Sequence, residues 1–503
     1  MVFLISVAVI LAITILGLID PTAFAEAADA VLAVTVEKFG WFYLIATFTF
    51  LIFAIYLAFS RYGQIRLGKD DESPEYRDSS WFAMLFSAGM GIGLVFWGVA
   101  EPISHYLEPP LGAEPQTPEA AALAVRFSFF HWGLHAWGIY TVLALAIAYF
   151  SFRRGYSGLI SNTFVPLLGK DRVEGPIGKT IDILAIIATV FGVATSLGLG
   201  ALQINSGLSH MTGLAVGLIP QLAIIGIVTV LYMTSAVTGL DRGILILSNT
   251  NLALAAALLI FTLFAGPTSF IFDLLTTTVG SYLQNIVQMS LRLSPFGKQE
   301  WIRSWTLFYW AWWIAWAPFV GMFIARISRG RTIREFVLGV LLVPTAFCFI
   351  WFAVFGGTGL YLEMFEGRNI AGAVEADIAV ALFTTLQQLP LGMILAGVAT
   401  LLITTFFITS ADSATFVLGM LSSKGRMTPT LTVKSVWGVL QSSLAAVLLL
   451  VGGLEGLQTA SIIAAAPFSV IMLLICASTL TALREERRAR PRRRANPPGD
   501  SNL

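Results

Sequence analysis

The sequence predicts an all-α protein that crosses a membrane many times, and three observations predict it. Of 503 residues, 57% are hydrophobic and only 12% charged, with mean hydropathy +0.81, where a soluble chain carries about a quarter charged residues. Apolar runs of about 20 residues, each long enough to span a bilayer as a helix, recur along the whole chain. The Lys and Arg residues also fall into alternate loops, as a polytopic helical protein requires.

Twelve spans follow, at roughly 2–19, 41–60, 80–104, 124–151, 181–204, 217–239, 244–266, 301–325, 336–361, 391–419, 431–452 and 457–481. With both termini placed inside, 24 of the 30 Lys and Arg residues lie on the cytoplasmic side. Glu101, Glu108, Glu114 and Glu119 then count among the acidic residues of outer loops. The chain divides into two N-terminal helices with their loop (1–79), a five-helix unit (80–266), an amphipathic helix at the outer interface (267–300), a second five-helix unit (301–482) and an Arg-rich tail (483–503). Residues 2–19 read as a retained helix: AFA at 23–25 resembles a signal-peptidase site, but no Lys or Arg precedes a run that is long for a signal peptide. Residues 269–297 and 371–389 are amphipathic and are expected at the outer interface or as lids. Cys348 and Cys476 lie in apolar runs and suggest no disulfide framework. The tail reads as a topology anchor, or as a segment that senses anionic lipid, with Pro491 interrupting any helix there.

Two spans are expected to break. In span 3, Gly89, Gly91 and Gly93 alternate at mid-membrane depth, which suits an unwound stretch whose amides and carbonyls face a ligand. In span 8, Pro318 follows a tryptophan cluster. Interrupted helices at corresponding places in two halves point to a transporter binding site, so spans 3–7 and 8–12 read as two repeats, each opened by a broken helix. Span 10 carries TTFFITSADSATF. Its hydroxyls can bond back to their own helix, but an intramembrane Asp412 beside Thr409 and Ser410 favours an ion site or gate, and Na⁺ takes oxygen ligands of this kind.

Six of the 13 tryptophans fall between Trp301 and Trp316. Trp301 and Trp305 fit an interfacial belt, whereas Trp312, Trp313 and Trp316 lie deeper and share a helical face with Tyr309. Span 4 adds Trp132, Trp137 and Tyr140. A quaternary ammonium cannot donate hydrogen bonds, and aromatic faces hold it at about 0.5–2 kcal/mol per contact. A box of indoles inside the membrane therefore points to a methylated ammonium substrate.

The segments AGMGIGLVFWGVAEP, FHWGLHAWGIY, ATVFGVATSLGLGALQINSG, FYWAWWIAWAPFVGMFIARISRGRTIREF and FFITSADSATF resemble the signature segments of the betaine/choline/carnitine transporter family, from about residue 40 to 480. The resemblance implies twelve helices, a LeuT-like five-plus-five inverted repeat, a homotrimer in the inner membrane, and secondary transport of trimethylammonium osmolytes by alternating access. By that likeness Trp312, Trp313 and Trp316 form a central cage, and Trp132, Trp137 and Tyr140 with Trp313 an outer box. It places one Na⁺ between the Ser87, Met90 and Phe406 carbonyls and the Thr409 and Ser410 hydroxyls. A second Na⁺ would involve Thr189 and Phe319, although Val193 stands where a threonine would help that site.

Competing classes are a proton-coupled or ion-independent transporter of choline, carnitine or another methylated compound, and a ligand-gated channel or receptor built on the same cage. GPIGKT at 175–180 has Val173 where a P-loop needs glycine. His131 and His135 have metal-like spacing but no carboxylate or cysteine in their segment, so structural roles are expected. No catalytic triad or cofactor fingerprint is present, and neither an enzyme nor a nucleic-acid partner is expected. No carboxylate lies in 84–100, 127–150 or 306–325. Choline, with its net positive charge, would gain from one, so the sequence favours the zwitterion glycine betaine.

Overall fold

Every regular element among the described residues is a helix, which satisfies its backbone groups internally where lipid offers no partner. The computed structural model describes residues 1–89, 91–238, 241–295 and 300–495, with the side chains of 86, 88, 89, 236–238, 241–245 and 489–495 outside the description. The main helices are α1 (Val2–Ile19), α2 (Pro21–Phe59), α3 (Asp78–Gly89), α4 (Ile92–Leu107), α5 (Pro118–Trp132), α6 (Leu134–Ala148), α7 (Pro176–Thr212), α8 (Leu218–Thr238), α9 (Asp241–Ala265), α10 (Thr268–Ser290), α11 (Phe308–Ile327), α12 (Ile333–Glu366), α13 (Gly392–Ser422) and α14 (Leu431–Ala495).

Among the described residues, ten helical segments are long and apolar enough to cross a membrane, and the chain is a multi-pass membrane protein. Two places separate this count from the twelve spans expected. Span 3 is split into α3 and α4, each too short to count alone. Spans 11 and 12 join in α14, across non-helical backbone at Gly452 and Gly453, where φ at Gly453 is +54°. A residue with a Cβ disfavours that conformation, so glycine marks the bend. Of the amphipathic stretch 269–297, the part up to Ser290 belongs to α10 and residues 296–297 lie outside the described residues, while 371–389 folds as short helices including Ile370–Ala376 and Ala381–Gln387.

The break in span 3 falls where the alternating glycines placed it: α3 ends at Gly89 and α4 starts after an extended Gly91. Met90 lies outside the described residues. Gly93, in contrast, sits inside α4. Span 8 differs from expectation. Pro318 does not interrupt α11, which runs helically from Phe308 to Ile327. The irregularity lies earlier, in a π-helical turn at Arg303–Leu307. A proline deletes one hydrogen-bond donor, and packed membrane helices tolerate that loss, whereas an inserted residue shifts the register of everything after it. The tail also departs from expectation, since α14 continues through Pro491 to Ala495.

Helices α7 and α11 are largely buried, and α1, α8 and α9 turn most of their surface outward, with apolar side chains such as Ile219 and Phe264 exposed as a lipid-facing surface demands. Helix α11 packs against α6 and α7, α13 against α7, and α14 along α7 and α2. At the cation-rich end, residues 65–67 pair with 330–333 through Leu67 N–H to Arg331 O (2.8 Å) and Ile333 N–H to Ile65 O (2.9 Å). Arg331 is buried over the Trp81 ring at 3.9 Å and bonds Asp78 at 2.8 Å. Arg153 ties α14 into this assembly by donating to Glu486 (2.7 Å) and Asp70 (2.8 Å).

Candidate functional site: an aromatic box on a polar cavity

A cavity of about 620 Å³ runs from the tryptophan cluster to Arg326 near the end of α11, Met427 in the loop before α14, and Lys434 in the first turn of α14. Its inner end is walled by Trp132, Tyr140, Trp312, Trp313 and Trp316. Successive turns of α11 deliver three of these, while α5 and α6 present the others on either side of Gly133. Trp312 and Trp313 stack with centroids 4.8 Å apart and planes 17° apart. Trp132 meets Trp313 edge-on at 4.8 Å and 76°, and Tyr140 meets it at 6.1 Å and 75°. Trp316 is fixed by its indole N–H, which donates to Gly192 O at 2.7 Å, and Trp313 by donation to His131 O at 2.9 Å. Trp316 and Trp313 thus have set orientations before any ligand arrives.

Small residues make room for these rings. A Cβ on Gly93 would lie 2.4 Å from Trp312 Cη2 and 3.2 Å from Trp132 Cη2, and one on Gly192 would meet Trp316 Cδ1 at 2.9 Å. Gly93 therefore provides close approach rather than unwound backbone. Gly91 has open space around it, caps α4 without a side-chain partner, and lines the cavity with Ile92 and Gly93. The first amides of α4 lack intrahelical partners and form a positive helix end at the cavity wall. Trp312 Nε1 is buried and has no hydrogen-bond partner among the described residues. Trp137 departs from its expected place: it packs against Tyr140 at 5.5 Å and backs that ring instead of lining the cavity. Tyr309 likewise turns away from it.

Further along the cavity lie Ser87, Phe406, Thr409, Ser410, Asp412 and Ser413. The structure thus brings α3 and α13 to the same wall. Several hydroxyls of α13 bond back to their own helix: Thr404 to Thr400 O (2.8 Å), Thr405 to Leu401 O (2.9 Å) and Thr409 to Thr405 O (3.0 Å). Asn251 of α9, which the sequence reading passed over, donates to Thr409 Oγ1 at 3.2 Å. Its Oδ1 is buried without a hydrogen-bond partner among the described residues. Of the second expected ion pair, Phe319 lines the cavity beside Trp316. Thr189 is fully buried off the cavity wall, donating to Ala185 O at 2.7 Å, and Val193 is also fully buried.

The end opposite Lys434 is closed by aromatic packing. Trp97 meets Trp305 at 5.3 Å, Trp305 meets His105 at 4.4 Å, and Trp301 meets Phe127 at 5.1 Å. Beneath this plug sits Glu101. The sequence reading counted it with the outer loops, but it is fully buried within α4. It accepts from Trp132 Nε1 (2.8 Å), from the Tyr309 hydroxyl (2.6 Å) and from His131 (2.6 Å), with His105 at 3.2 Å. A carboxylate therefore does stand beside the box, one residue past the stretch 84–100, and the argument from its absence against choline is overturned. His131 is engaged on both nitrogens, reaching Thr306 at 3.0 Å, and His135 meets Ser290 at 2.7 Å.

The family model of the betaine/carnitine/choline family transporters (BCCT) matches residues 1–488. The chain is 53% identical to the glycine betaine transporter OpuD of Bacillus subtilis, covering 97% of this chain and 95% of that one. It is 50% identical to an ectoine/hydroxyectoine transporter of Virgibacillus pantothenticus, covering 95% of each, and 43% identical to glycine betaine transporter 1 of Vibrio parahaemolyticus, covering 90% and 87%. These matches span the box, the broken helix and the polar face alike, so the chain is a transporter rather than an enzyme and belongs to the betaine/carnitine/choline transporter family.

Proposed function

We propose that this protein takes up glycine betaine, or a closely related osmolyte, by Na⁺-coupled alternating access. The observation that carries the reading is the box of Trp132, Tyr140, Trp312, Trp313 and Trp316 at the blind end of a cavity. Three methyl groups on a cation need apolar faces with negative potential, and ring faces provide both. The substrate carboxylate needs donors without a charged side chain. The amides at the start of α4, which lines the cavity with Gly91, Ile92 and Gly93, supply them. The relatives named for glycine betaine support this choice, and the ectoine relative adds a second candidate, a cyclic zwitterion whose delocalised cation suits the same rings.

Sodium would bind between span 3, through Ser87 and the expected Met90 carbonyl, and Phe406, Thr409 and Ser410 of α13, of which Ser87, Phe406, Thr409 and Ser410 share the cavity wall. The support is a concentration of oxygens, including the unpartnered Asn251 Oδ1 beside Thr409. A second Na⁺ at Thr189 and Phe319 is the weaker assignment, because Val193 contributes no oxygen. The cavity opens toward the cation-rich loops, which the distribution of Lys and Arg assigns to the cytoplasm together with both termini, so the conformation reads as inward-facing. Twelve crossings in the inner membrane, two inverted five-helix units (80–266 and 301–482) and a homotrimer complete the proposal. The Arg-rich end of α14 would meet anionic lipid.

The test is uptake of labelled glycine betaine into liposomes, with an inward Na⁺ gradient or with K⁺ alone. Saturable accumulation that depends on Na⁺ is expected. Equal uptake in K⁺ would refute the coupling, and no uptake of glycine betaine or ectoine would refute the substrate class.

A further inference from the structure

Glu101 presents a charge problem that transport of a methylated ammonium does not by itself explain. It is fully buried in the membrane-spanning bundle, and no Lys or Arg pairs with it among the described residues. Four groups surround its two oxygens. Oε2 takes the Trp132 indole N–H and the Tyr309 hydroxyl; Oε1 takes His131 Nδ1 and His105 Nε2. An ionised carboxylate accepts about four hydrogen bonds and donates none, so this shell matches the anion. Both imidazoles fit the neutral form. His105 Nδ1 is buried without a partner, so a proton there would be a buried orphan donor. His131 Nε2 faces the Thr306 hydroxyl, which has a proton to give. With both imidazoles neutral the cluster carries one negative charge, and Trp132, which lines the cavity, donates directly to it.

We propose that Glu101 is a specificity-determining residue: a buried anion, held by Trp132, Tyr309, His131 and His105 one indole behind the cavity wall, that sets how the site ranks ligands by net charge. This rests on the reading of the box as an ammonium site. Glu101 need not touch the ligand; it acts through Trp132, whose ring it orients, and through its field. For a cation about 8 Å away at an effective dielectric of about 20, that field amounts to roughly thirtyfold in affinity. A zwitterion gains less, because its carboxylate, about 3 Å further off, is repelled; the net is about threefold. The charge thus favours choline relative to what the cage alone would give, and discrimination for glycine betaine falls to the donors on the carboxylate side.

The experiment measures choline and glycine betaine affinity by tryptophan fluorescence in the purified full chain, for wild type, Glu101→Gln and Glu101→Asp. In Glu101→Gln, choline should weaken about thirtyfold and glycine betaine about threefold. Glu101→Asp keeps the charge but pulls the acceptors back, so both ligands should weaken by the same factor and their ratio should hold. Equal losses in Glu101→Gln, or no loss, would overturn the proposal, as would an altered ratio in Glu101→Asp, which also serves if the Gln variant does not fold. An infrared difference spectrum between ligand-free wild type and either variant provides an arm independent of substrate. An ionised-carboxylate band at neutral pH is expected, and a protonated-acid carbonyl band would overturn the charge assignment. If wild type binds neither ligand, the substrate reading fails, while the infrared result still decides the state of Glu101.

Discussion

Replacing Gly93 by Ala adds one methyl group to the back of the box and nothing else. The new Cβ would lie 2.4 Å from Trp312 Cη2 and 3.2 Å from both Trp312 Cζ2 and Trp132 Cη2, so the Trp312 ring must retreat by about 1 Å to recover van der Waals distance. It is packed between neighbouring rings: Phe308 stacks at 5.4 Å and 14°, Trp313 at 4.8 Å and 17°. Overpacking of this kind costs about 1–3 kcal/mol. If that strain is relieved by displacing the rings, affinity for glycine betaine falls about 5- to 160-fold. The same substitution improves helix propensity within α4 by up to about 1 kcal/mol, so a loss of binding need not come with a loss of fold. The assay is a fluorescence titration with glycine betaine, run beside a thermal melt of the detergent-purified protein. Wild-type affinity in well-folded Gly93→Ala would refute the claim that these rings form the substrate wall.

Three further outcomes follow from the same geometry. Trp316→Leu keeps apolar volume but removes a ring face and the bond to Gly192 O, and should weaken glycine betaine binding at least about tenfold; an unchanged calorimetric titration of the folded variant would exclude Trp316 from the cage. Thr409→Ala with Ser410→Ala removes two oxygens from the α13 wall and should raise the Na⁺ concentration for half-maximal uptake by a large factor; an unshifted Na⁺ curve would move the ion elsewhere. Deleting residues 487–503 removes six arginines from the end of α14 and should blunt activation by hyperosmotic medium if that segment reads anionic lipid; an identical activation curve would leave it a topology anchor.

What the sequence made legible was what depends on local pattern. Apolar run lengths marked the helices, the alternating glycines located the break between α3 and α4, and the spacing on α11 placed Trp312, Trp313 and Trp316 on one wall. What it hid depends on contacts between distant segments. Glu101 looked like loop charge because it follows an apolar run, yet its partners come from α5 and α11, 30 and 208 positions away. Its burial had one available sign, a carboxylate in the unbroken run GVAEPI ahead of a proline that α4 absorbs. Gly93 shared a pattern with Gly89 and Gly91 but serves ring clearance, visible only once Trp312 is set against it. Trp137 stands three positions before Tyr140 on α6, and its packing against that ring, behind the wall, depends on the fold rather than on spacing. The π turn at Arg303–Leu307 has no composition signature comparable to Pro318, so the expected irregularity was assigned to the wrong residue.

The central claim is that the box recognises the cation and not merely its bulk. Calorimetric titration of the purified protein with glycine betaine and with 3,3-dimethylbutanoate, its isostere with carbon in place of the ammonium nitrogen, tests this most directly. Both carry the same carboxylate and nearly the same shape, and only one presents a positive charge to the rings. The account predicts saturable binding of glycine betaine and affinity for the isostere lower by at least about tenfold. Equal affinity for the two would contradict it.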